Sequence, residues 1–444
     1  MPEEGAVMMD TEPGDCTCEP VQLQPFIHQV GGHTSMLRFN DDTLCKPLIE
    51  REQVFYQAIP RGLKQFTPQY RGVIEVQLHE DSDGYITLIG YPPDSGKVTF
   101  PRNTSPASSE SDTDTASPVL NTKHRHDRPG DPYSVRLLRS GSLEVSTQTE
   151  KVFHMNDPKS GKHDKTEGIN PWSLKCHKRQ LSKMRRVTQG AGSFTSKFIL
   201  LENIAAQCDF PCILDLKMGT RQHGDDVPEA KKQSHIKKCE QSTSSVLGVR
   251  ICGMQVYQAN TQKYICHNKY YGRSLTVDGF KEALCQFLHN GHQLRTELVH
   301  EIVKRLQALH ESVTEQDTFR FYSSSLLIMY DGMVGNGNGA SGGRPSHSAR
   351  ERGRPSHSAR ERELDHEDSD SNTSSVSEGD QPSNSHYHGW VPNVNVKMID
   401  FAHSTHSGFQ GDKTVHKGPD QGYLLGLANL IKMFNEIVDR PLPV

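Results

Sequence analysis

Two long polar segments limit what this chain can fold into. Residues 93–168 and 333–390 are rich in Ser, Asp, Gly, His, Arg and Pro and carry few large apolar side chains. Such segments bury too little apolar surface to offset the conformational entropy lost on folding, so we expect both to be disordered inserts. Only 33% of the 444 residues are hydrophobic. The stretches outside the two inserts are nevertheless long enough for one two-lobed domain with a substantial core.

The apolar stretches differ in their periodicity. Residues 21–92 contain short strand-like runs separated by glycine turns, with one helical stretch from Glu50. Later stretches mix helical and strand periodicity, which indicates an α+β fold. The predicted organisation is a flexible N-terminus (1–20), a small lobe (21–92), an insert (93–168), a helix and hinge strand (169–205), a large lobe (206–332), a second insert (333–390) and the end of the large lobe (391–444).

Bulk charge and cysteine usage exclude some classes of protein. The chain has 50 Lys and Arg against 54 Asp and Glu, so its net charge of -4 makes nucleic acid an unlikely partner. The ten cysteines are scattered, which is typical of reduced intracellular thiols. No apolar run approaches the ~18 residues of a membrane helix, and the first 20 residues lack an apolar signal region. We therefore expect a protein of the cytoplasm and nucleus without a membrane segment.

Three local patterns could serve phosphate chemistry. Lys46 lies in an apolar strand just before a helix that carries Glu52, an arrangement in which a lysine reaches nucleotide phosphates and is held by a carboxylate. Asp400 ends an apolar strand, where it could hold a metal ion. The Gly31-Gly32-His33 stretch could let the backbone approach phosphates. The alternatives stay open at this point: an exposed strand lysine, a turn aspartate and a plain hairpin turn.

One nine-residue stretch makes the pattern specific. Residues 211–219 read PCILDLKMG and resemble the P-x-x-x-D-x-K-x-G signature of the inositol polyphosphate kinase family. Residues 323–327, 330–332 and 399–403 (SSSLL, YDG and IDFAH) follow in the order of that family. The resemblance covers most of the chain outside the inserts. It implies a two-lobed fold similar to that of protein kinases, although the chain has no H-R-D, D-F-G or A-P-E motif.

Two further stretches are similar to the hexakisphosphate kinase branch of the family. They are residues 219–226 (GTRQHGDD) and 238–243 (KCEQST). The resemblance implies ATP-dependent phosphorylation of inositol hexakisphosphate, and of the pentakisphosphate, to diphosphoinositol phosphates, with Mg²⁺ accompanying ATP. Because every ring hydroxyl of the hexakisphosphate is esterified, the nucleophile would be a phosphate oxygen, which needs no general base.

The resemblance also implies roles for single residues. Lys217, Asp215 and Asp400 would be catalytic, and Asp400 with Ser324 would hold the metal ion. The residues implied for ATP are Lys46, Glu52, Glu202, Asn203, Ile204, Asp215 and Asp400. The residues implied for the inositol phosphate are Pro211, Cys212, Ile213, Leu214, Asp215, Leu216, Lys217, Met218, Gly219, Lys175, Arg179, Lys183, Arg221 and His223.

The helix after Asn170 has two distinct faces. Leu174, Leu181 and Met184 form an apolar stripe, which we expect to pack on the large lobe. Lys175, Arg179, Lys183 and Arg186 form a basic row on another face, with no acidic residue from 175 to 186 to neutralise it. Such a row suits a polyanionic substrate. Should it not bind one, the substrate site would have to lie around Arg221, His223, Lys269 and Arg273.

Three other functions compete with this interpretation. A multikinase would phosphorylate ring hydroxyls of less substituted inositol phosphates. A catalytically weak scaffold would bind inositol phosphates and recruit protein partners through the inserts, which contain the duplicated sequence GRPSHSARER and an acidic serine-rich run. A nucleic-acid binder would use the basic residues 175–186, but no aromatic recognition motif accompanies them. Intact Lys46, Asp215, Lys217 and Asp400 favour an active kinase.

Overall fold

The computed structural model describes residues 20–32, 34–80, 85–92, 133–138, 143–147, 164–166, 170–191, 195–332, 392–409 and 411–439. His33, residues 1–19 and residues 333–391 lie outside the described residues. The described helices are α1 (Glu50–Ala58), α2 (Arg61–Lys64), α3 (Pro171–Ala191), α4 (Glu229–Glu240), α5 (Ser244–Leu247), α6 (Lys269–Ser274), α7 (Val277–Leu288), α8 (Glu297–Thr314) and α9 (Gln421–Val438). The described strands are β1 (Val21–Pro25), β2 (Leu37–Asn40), β3 (Thr43–Pro47), β4 (Tyr70–Glu80), β5 (Tyr85–Tyr91), β6 (Tyr133–Leu138), β7 (Leu143–Thr147), β8 (Asp164–Thr166), β9 (Thr195–Glu202), β10 (Pro211–Met218), β11 (Val249–Gln258), β12 (Lys263–His267), β13 (Ser325–Asp331) and β14 (Val394–Ile399).

The small lobe is built on one antiparallel sheet. Its strand order is β1-β2-β3-β9-β4-β5-β6-β7, and β5 also pairs with β1, so that six of the strands close into a ring. Its apolar side chains, among them Leu37, Val76 and Phe198, are fully buried. The last strand of this sheet in the sequence, β9, lies between β3 and β4 and leads directly into the large lobe. The hinge therefore begins in the middle of the small-lobe sheet.

Helix α3 packs on this sheet, which corrects our expectation for its apolar stripe. Leu174, Leu181 and Met184 are buried as predicted. Leu181 and Met184, however, belong to the small-lobe core and not to the large lobe. Helical periodicity shows which face is apolar but not which surface covers it. The helix also meets the large lobe at its start, where the Asn170 side-chain amide donates to Gln255 Oε1 at 3.3 Å.

The large lobe is built on a second antiparallel sheet, in the order β14-β13-β10-β11-β12-β8. The amphipathic helices α7, α8 and α9 cover it, and their apolar side chains such as Phe280, Leu306 and Phe434 are fully buried. Strand β10 lies between β11 and β13. The family signature thus occupies the centre of this sheet, and the α+β, two-lobed fold class is confirmed.

Helix α1 belongs to the small lobe in sequence but not in packing. Phe55, Tyr56 and Ile59 are part of the same apolar core as the large-lobe sheet. The Phe55 ring stacks on that of Phe401, with 4.7 Å between the centroids. Our assignment of residues 21–92 to the small lobe therefore needs correction at α1, because this helix packs with the core of the large lobe. The fixed helix holds Glu52 in a set position against the residues after β14.

Three short stretches of the first polar insert, β6, β7 and β8, are among the described residues. Strands β6 and β7 pair with each other and extend the small-lobe sheet from β5, and β8 pairs with β12 in the large-lobe sheet. The sequence of β6 and β7 does alternate apolar and polar residues. The average composition of the whole insert hides this local alternation.

Two further observations concern the described helices and cysteines. No helix in the described ranges is both long and apolar enough to cross a membrane. The eight cysteines in the described residues are all free thiols, as the scattered spacing predicts.

The second polar insert joins two strands that are neighbours. Tyr330 near the end of β13 pairs with Val394 at the start of β14 in antiparallel register. A turn of about four residues can connect such ends. We expect that replacing residues 334–391 with a Gly-Ser linker of about that length leaves kcat within about threefold and the melting temperature unchanged, because the replaced residues cannot support a core. A folded deletion protein without turnover would contradict this expectation.

Candidate active site

Lys46, Glu52 and Asp400 form a charged cluster where the two lobes meet. The Lys46 ammonium donates hydrogen bonds to Glu52 Oε1 at 2.8 Å and to Asp400 Oδ1 at 2.7 Å. Burial alone would lower the pKa of Lys46, but the attraction of Asp400 and Glu52 outweighs burial and holds this pKa above its usual value. Lys46 is therefore a permanent positive charge held between two carboxylates.

The two carboxylates have different surroundings. Glu52 is fully buried, and its Oε1 also accepts a hydrogen bond from the Phe401 backbone N–H at 3.1 Å. Asp400 directly follows β14 with a φ of 65°, in the left-handed region that aspartate tolerates better than most residues. The Asp400 side chain is 32% exposed. Glu52 thus anchors Lys46, while Asp400 presents its carboxylate to the cleft.

Asp215 and Lys217 lie two residues apart on β10 and therefore share one face of the sheet. The Lys217 ammonium donates to Ser325 Oγ at 3.2 Å and lies 3.9 Å from Asp400 Oδ2. Asp215 also interacts with the Ser325 hydroxyl, while its buried Oδ1 has no hydrogen-bond partner. Two acids and two lysines, counting Lys46, are thereby brought into one cleft from β3, β10 and the end of β14.

Burial controls the protonation of Asp215. The Asp215 side chain is 3% exposed, and burial raises its pKa to about 6. The nearby Lys217 opposes this rise, and the Asp400 carboxylate adds to it. An ionised carboxylate kept in such a place destabilises the folded chain, because the unfolded chain would hold the same charge in water.

We therefore expect Asp215→Asn to stabilise the fold at neutral pH. The folded pKa lies above the unfolded value of 3.8, so the carboxyl contributes full stability below pH 3.8 and loses it as the pH rises through about 6. At pH 7.5 the variant should gain up to about 3 kcal/mol in free energy of unfolding. Denaturant titrations at pH 7.5 and pH 5 should show the gain falling by about half at the lower pH. A gain that does not depend on pH would contradict the assignment.

A glycine segment lies directly over Asp215. A Cβ atom at Gly31 would stand 1.9 Å from Asp215 Oδ2, and a Cβ atom at Gly253 would stand 2.0 Å from the Val30 carbonyl oxygen. Gln29 fixes the segment, because its side-chain amide donates to the Gly31 carbonyl at 2.8 Å. Gly32 has a φ of 81°. The close approach to Asp215 thus explains the need for Gly31, and contact with phosphates stays a prediction.

A small apolar cluster lies beside the glycine segment and the hinge. It consists of the buried Val30, Ala205, Ile213 and Met329 and the partly buried Phe26, Ile204 and Leu327. The hinge itself is braced by Asn203, whose side-chain amide donates to the Asp41 carbonyl at 2.7 Å. The Glu202 carboxylate accepts from the Gln69 N–H at 3.0 Å, and the Glu202 N–H donates to the Gln69 carbonyl at 2.9 Å. Apolar side chains beside hinge peptide groups suit a nucleotide base.

The match to known sequences decides the family. The family model of inositol polyphosphate kinase matches residues 198–435, more than half of the chain. The chain belongs to the inositol polyphosphate kinase family. The resemblance seen in the sequence is therefore confirmed.

Full-length relatives carry the names of one branch of that family. Human inositol hexakisphosphate kinase 1 is 43% identical over 437 residues, covering 95% of this chain and 94% of its own. Human inositol hexakisphosphate kinase 2 is 41% identical over 453 residues, covering 97% and 98%. Among solved structures, the inositol phosphate multikinase of S. cerevisiae in complex with ADP and Mn²⁺ is 22% identical over 55% of this chain and 84% of that chain, with a TM-score of 0.37.

Several residues of the family signature, 211–219, have side chains that are buried in the large-lobe core. The alternation of β10 directs Cys212, Leu214, Leu216 and Met218 into the large-lobe core, where each is 1% exposed or less. Contact between residues 211–219 and the inositol phosphate stays a prediction, and these four buried side chains are held in the core. The Pro211 carbonyl accepts from the Gln255 amide at 3.0 Å, and Gly219 has a φ of 89°, so both residues shape the backbone. Asp215 and Lys217 are the residues of the signature that bring charge to the cleft.

The serine predicted for the metal site lies in the core, and its role in metal binding stays a prediction. Ser324 is fully buried, and its hydroxyl donates to the Phe321 carbonyl at 2.7 Å. The neighbouring Ser325 instead binds Lys217. Ser323 has a φ of 59°, and this left-handed turn before β13 could not be read from three adjacent serines.

A basic cluster adjoins the β10 pair. We define it as Lys175 and Arg179 of α3, Lys238 of α4, Arg250 of β11, and Lys269 and Arg273 of α6. Burial, together with the nearby Arg273 and Arg179, lowers the pKa of Lys269 to about 8. The Cys252 thiol interacts electrostatically with Lys217 as well as with Lys269, which places the cluster beside Lys217. Of the predicted basic row, Lys175 and Arg179 belong to this cluster, while Lys183 is exposed further along α3.

Sequence analysis did not assign two of these cations, Lys238 and Arg250, to the substrate site. They lie on different elements and are brought together only by the fold. Burial lowers the pKa of Lys238, and the nearby Arg273 and Arg250 also lower it. No local spacing signals such a group. Lys269 and Arg273 were named as an alternative substrate site. They lie in the same cluster as Lys175 and Arg179 of α3.

Arg221 and His223 lie in a different environment. The Arg221 guanidinium donates to Asp225 Oδ1 at 2.5 Å and stands 4.3 Å above the Tyr322 ring. It also donates to the His223 carbonyl at 3.1 Å. The structure thus gives Arg221 a role in shaping the loop after β10, and direct substrate contact by Arg221 and His223 stays a prediction.

Proposed function

We propose that this chain is an ATP-dependent inositol hexakisphosphate kinase that forms diphosphoinositol phosphates, and that it also accepts the pentakisphosphate. The observation that carries the proposal is the basic cluster beside Lys217. Six cations from four elements would suit an acceptor that carries many dianionic phosphates. The hexakisphosphate kinase names of the full-length relatives support the choice of acceptor.

ATP would bind between the lobes. Its base would pack against the apolar cluster, with hydrogen bonds to the hinge backbone at Glu202 and Ile204. Its phosphates would lie along the glycine segment towards Lys46, whose charge is fixed by Glu52 and Asp400. Lys46 would then steady the donor phosphates in the ground state.

The residues present fit Mg²⁺ held together with ATP. Within the described ranges no group of three His, Cys, Asp or Glu residues could hold a metal ion. Mg²⁺ with a nucleotide usually takes only one or two protein carboxylates, the rest coming from phosphates and water. Asp400, exposed to the cleft, and Asp215, with its unpartnered Oδ1, would be those two. When bound, Mg²⁺ supplies positive charge to the phosphates during transfer.

The chain itself would act by positioning and charge. A phosphate oxygen of the acceptor attacks the γ-phosphorus of ATP, a new P–O bond forms, the bond to the β-phosphate oxygen breaks, and ADP leaves. The acceptor oxygen is already ionised near neutral pH because the second pKa of a phosphomonoester is about 6. The main obstacle is the approach of two polyanions, so Lys217, between Ser325 and Asp400, would stabilise the charge on the transferred group.

Product analysis tests this function directly. Purified protein is given MgATP with either inositol hexakisphosphate or acceptors with free hydroxyls, and ³¹P NMR separates phosphoanhydride from monoester phosphorus. We expect a phosphoanhydride product from the hexakisphosphate. Products carrying only new monoesters would establish a multikinase instead. ATP consumption without acceptor, or no consumption, would favour the scaffold. Localisation in cytoplasm and nucleus, and protein partners of the inserts, stay predictions.

The basic row of α3 gives a second test. We expect that the triple substitution Lys175→Glu, Arg179→Glu and Lys183→Glu raises the KM for inositol hexakisphosphate at least about tenfold. The reason is that attraction of an acceptor phosphate becomes repulsion. The KM for ATP should stay nearly constant, and the salt dependence of acceptor binding should weaken. Steady-state kinetics at two ionic strengths measure both.

The matched control reverses three remote lysines, Lys64, Lys304 and Lys432, which changes the net charge by the same amount. It should leave the acceptor KM within about twofold, since exposed charges far from the site are screened. An unchanged KM and salt slope in the α3 variant would contradict a substrate role for this helix.

A further inference from the structure

Two aromatic rings lie among the cations of the basic cluster. The Trp172 ring centroid is 5.7 Å from Lys175 Nζ and 5.1 Å from Lys269 Nζ. The Tyr270 ring centroid is 5.8 Å from Lys269 Nζ and 5.9 Å from Arg273 Cζ. These distances are within the range of cation–π attraction. Trp172 therefore contacts a cation of α3 and a cation of α6 at once.

Such crowding of like charges needs compensation. Lys269 stands near Arg179 and Arg273, and burial removes part of the water that would screen them. The negative faces of aromatic rings attract cations, most strongly for tryptophan, and attraction strengthens where water is excluded. Trp172 is 5% exposed. Its ring thus holds two ammonium groups in place before any ligand arrives.

The backbone that carries the ring is held in place. The Trp172 backbone N–H donates to Asn170 Oδ1 at 2.9 Å, and the Asn170 side-chain amide donates to Gln255 Oε1 of β11 at 3.3 Å. On the other side, α6 packs tightly on the same strand, because a Cβ atom at Gly272 would stand 1.9 Å from the Ile251 carbonyl oxygen. Both elements that supply the cations are therefore fixed to β11, and Trp172 closes the gap between them.

We infer that Trp172 is a positioning residue for the acceptor, holding Lys175 and Lys269 where they can meet two phosphates of one polyphosphorylated ring. Tyr270 does the same for Lys269 and Arg273. The inference rests on the proposed function for the identity of the acceptor. The contribution of Trp172 grows with the number of phosphates on the ring, so it favours hexakisphosphate over less phosphorylated acceptors.

Two substitutions separate the ring face from the rest of the side chain. Trp172→Leu removes the aromatic face and should raise the KM for inositol hexakisphosphate by about tenfold, with a smaller rise for acceptors with fewer phosphates. Trp172→Phe keeps an aromatic face and should stay within about threefold of the parent. The KM for ATP and kcat should change less than about twofold in both variants. A parental acceptor KM in Trp172→Leu, or equal rises for both substrates, would overturn the inference.

Fluorescence gives a readout that leaves Trp172 intact. The chain has two tryptophans, and the other, Trp390, lies outside the described residues. In a Trp390→Phe protein all tryptophan emission comes from Trp172. Titration with inositol hexakisphosphate should change this emission saturably as phosphates draw the ammonium groups from the ring, whereas MgATP alone should not.

The two experiments also distinguish this inference from the proposed function. A saturable emission change without phosphoanhydride product would keep the positioning role and overturn the kinase assignment. Product formation with no emission change would do the opposite.

Discussion

Asp400→Asn is expected to lower kcat by about 10³-fold or more while leaving the protein folded. Asp400 presents the exposed carboxylate of the cleft, 2.7 Å from Lys46 Nζ and 3.9 Å from Lys217 Nζ. Asparagine has the same shape and tolerates the left-handed backbone at this position, so the change removes charge and little else. Lys46 keeps its buried partner Glu52. Turnover at saturating Mg²⁺ and the melting temperature measure the two effects.

The matched control is Asp278→Asn, which makes the same change in the first turn of α7, on an exposed part of the large lobe. It should keep kcat and the response to Mg²⁺. Near-normal kcat in Asp400→Asn at saturating Mg²⁺ would rule out Asp400 as the metal-binding carboxylate, and Asp215 would then have to carry that role alone.

Lys217→Ala is expected to lower kcat by about 10²–10³-fold while the KM for ATP stays within about threefold. The ammonium of Lys217 is held by Ser325 on the adjacent strand and lies beside Asp400, at the junction of the nucleotide cleft and the basic cluster. A positive charge in this place stabilises the phosphoryl group in the transition state more than it stabilises either bound substrate. Single-turnover kinetics with preformed enzyme–MgATP complex isolate the chemical step.

Lys197→Ala serves as the comparison, because Lys197 is an exposed lysine on a strand of the small-lobe sheet. It should behave as the parent in both constants. An unchanged kcat with only a raised ATP KM in Lys217→Ala would assign Lys217 to ground-state binding of the nucleotide.

Sequence patterns predicted the elements of the fold better than their packing partners. The stripe of α3 was identified correctly, yet Leu181 and Met184 pack on the small lobe. Helix α1 was likewise recognised, but Phe55 and Tyr56 join the large-lobe core. Periodicity is a local property of one segment, whereas the surface that buries an apolar face is chosen by contacts between residues far apart in sequence.

The same distinction applies to the candidate site. Lys46 and Glu52 are six residues apart, so a strand followed by a helix was enough to predict their contact. Asp400 follows Lys46 by 354 residues, and only the family resemblance linked the two. The three adjacent serines could not be told apart in the sequence, because the left-handed turn at Ser323 that sets the phase of β13 leaves no local signal.

Two asparagines are among the residues that connect the two lobes. Asn203 donates its backbone N–H to the Asp42 carbonyl of the small lobe, and the chain then enters β10. Asn170 donates its backbone N–H to the Ile27 carbonyl of the small lobe and its side-chain amide to Gln255 of the large lobe. Helix α3 begins at this second connection and packs on the small-lobe sheet, while its Arg179 lies near Lys269 of the large lobe. Any movement of one lobe against the other would therefore change the spacing of the basic cluster together with the width of the nucleotide cleft.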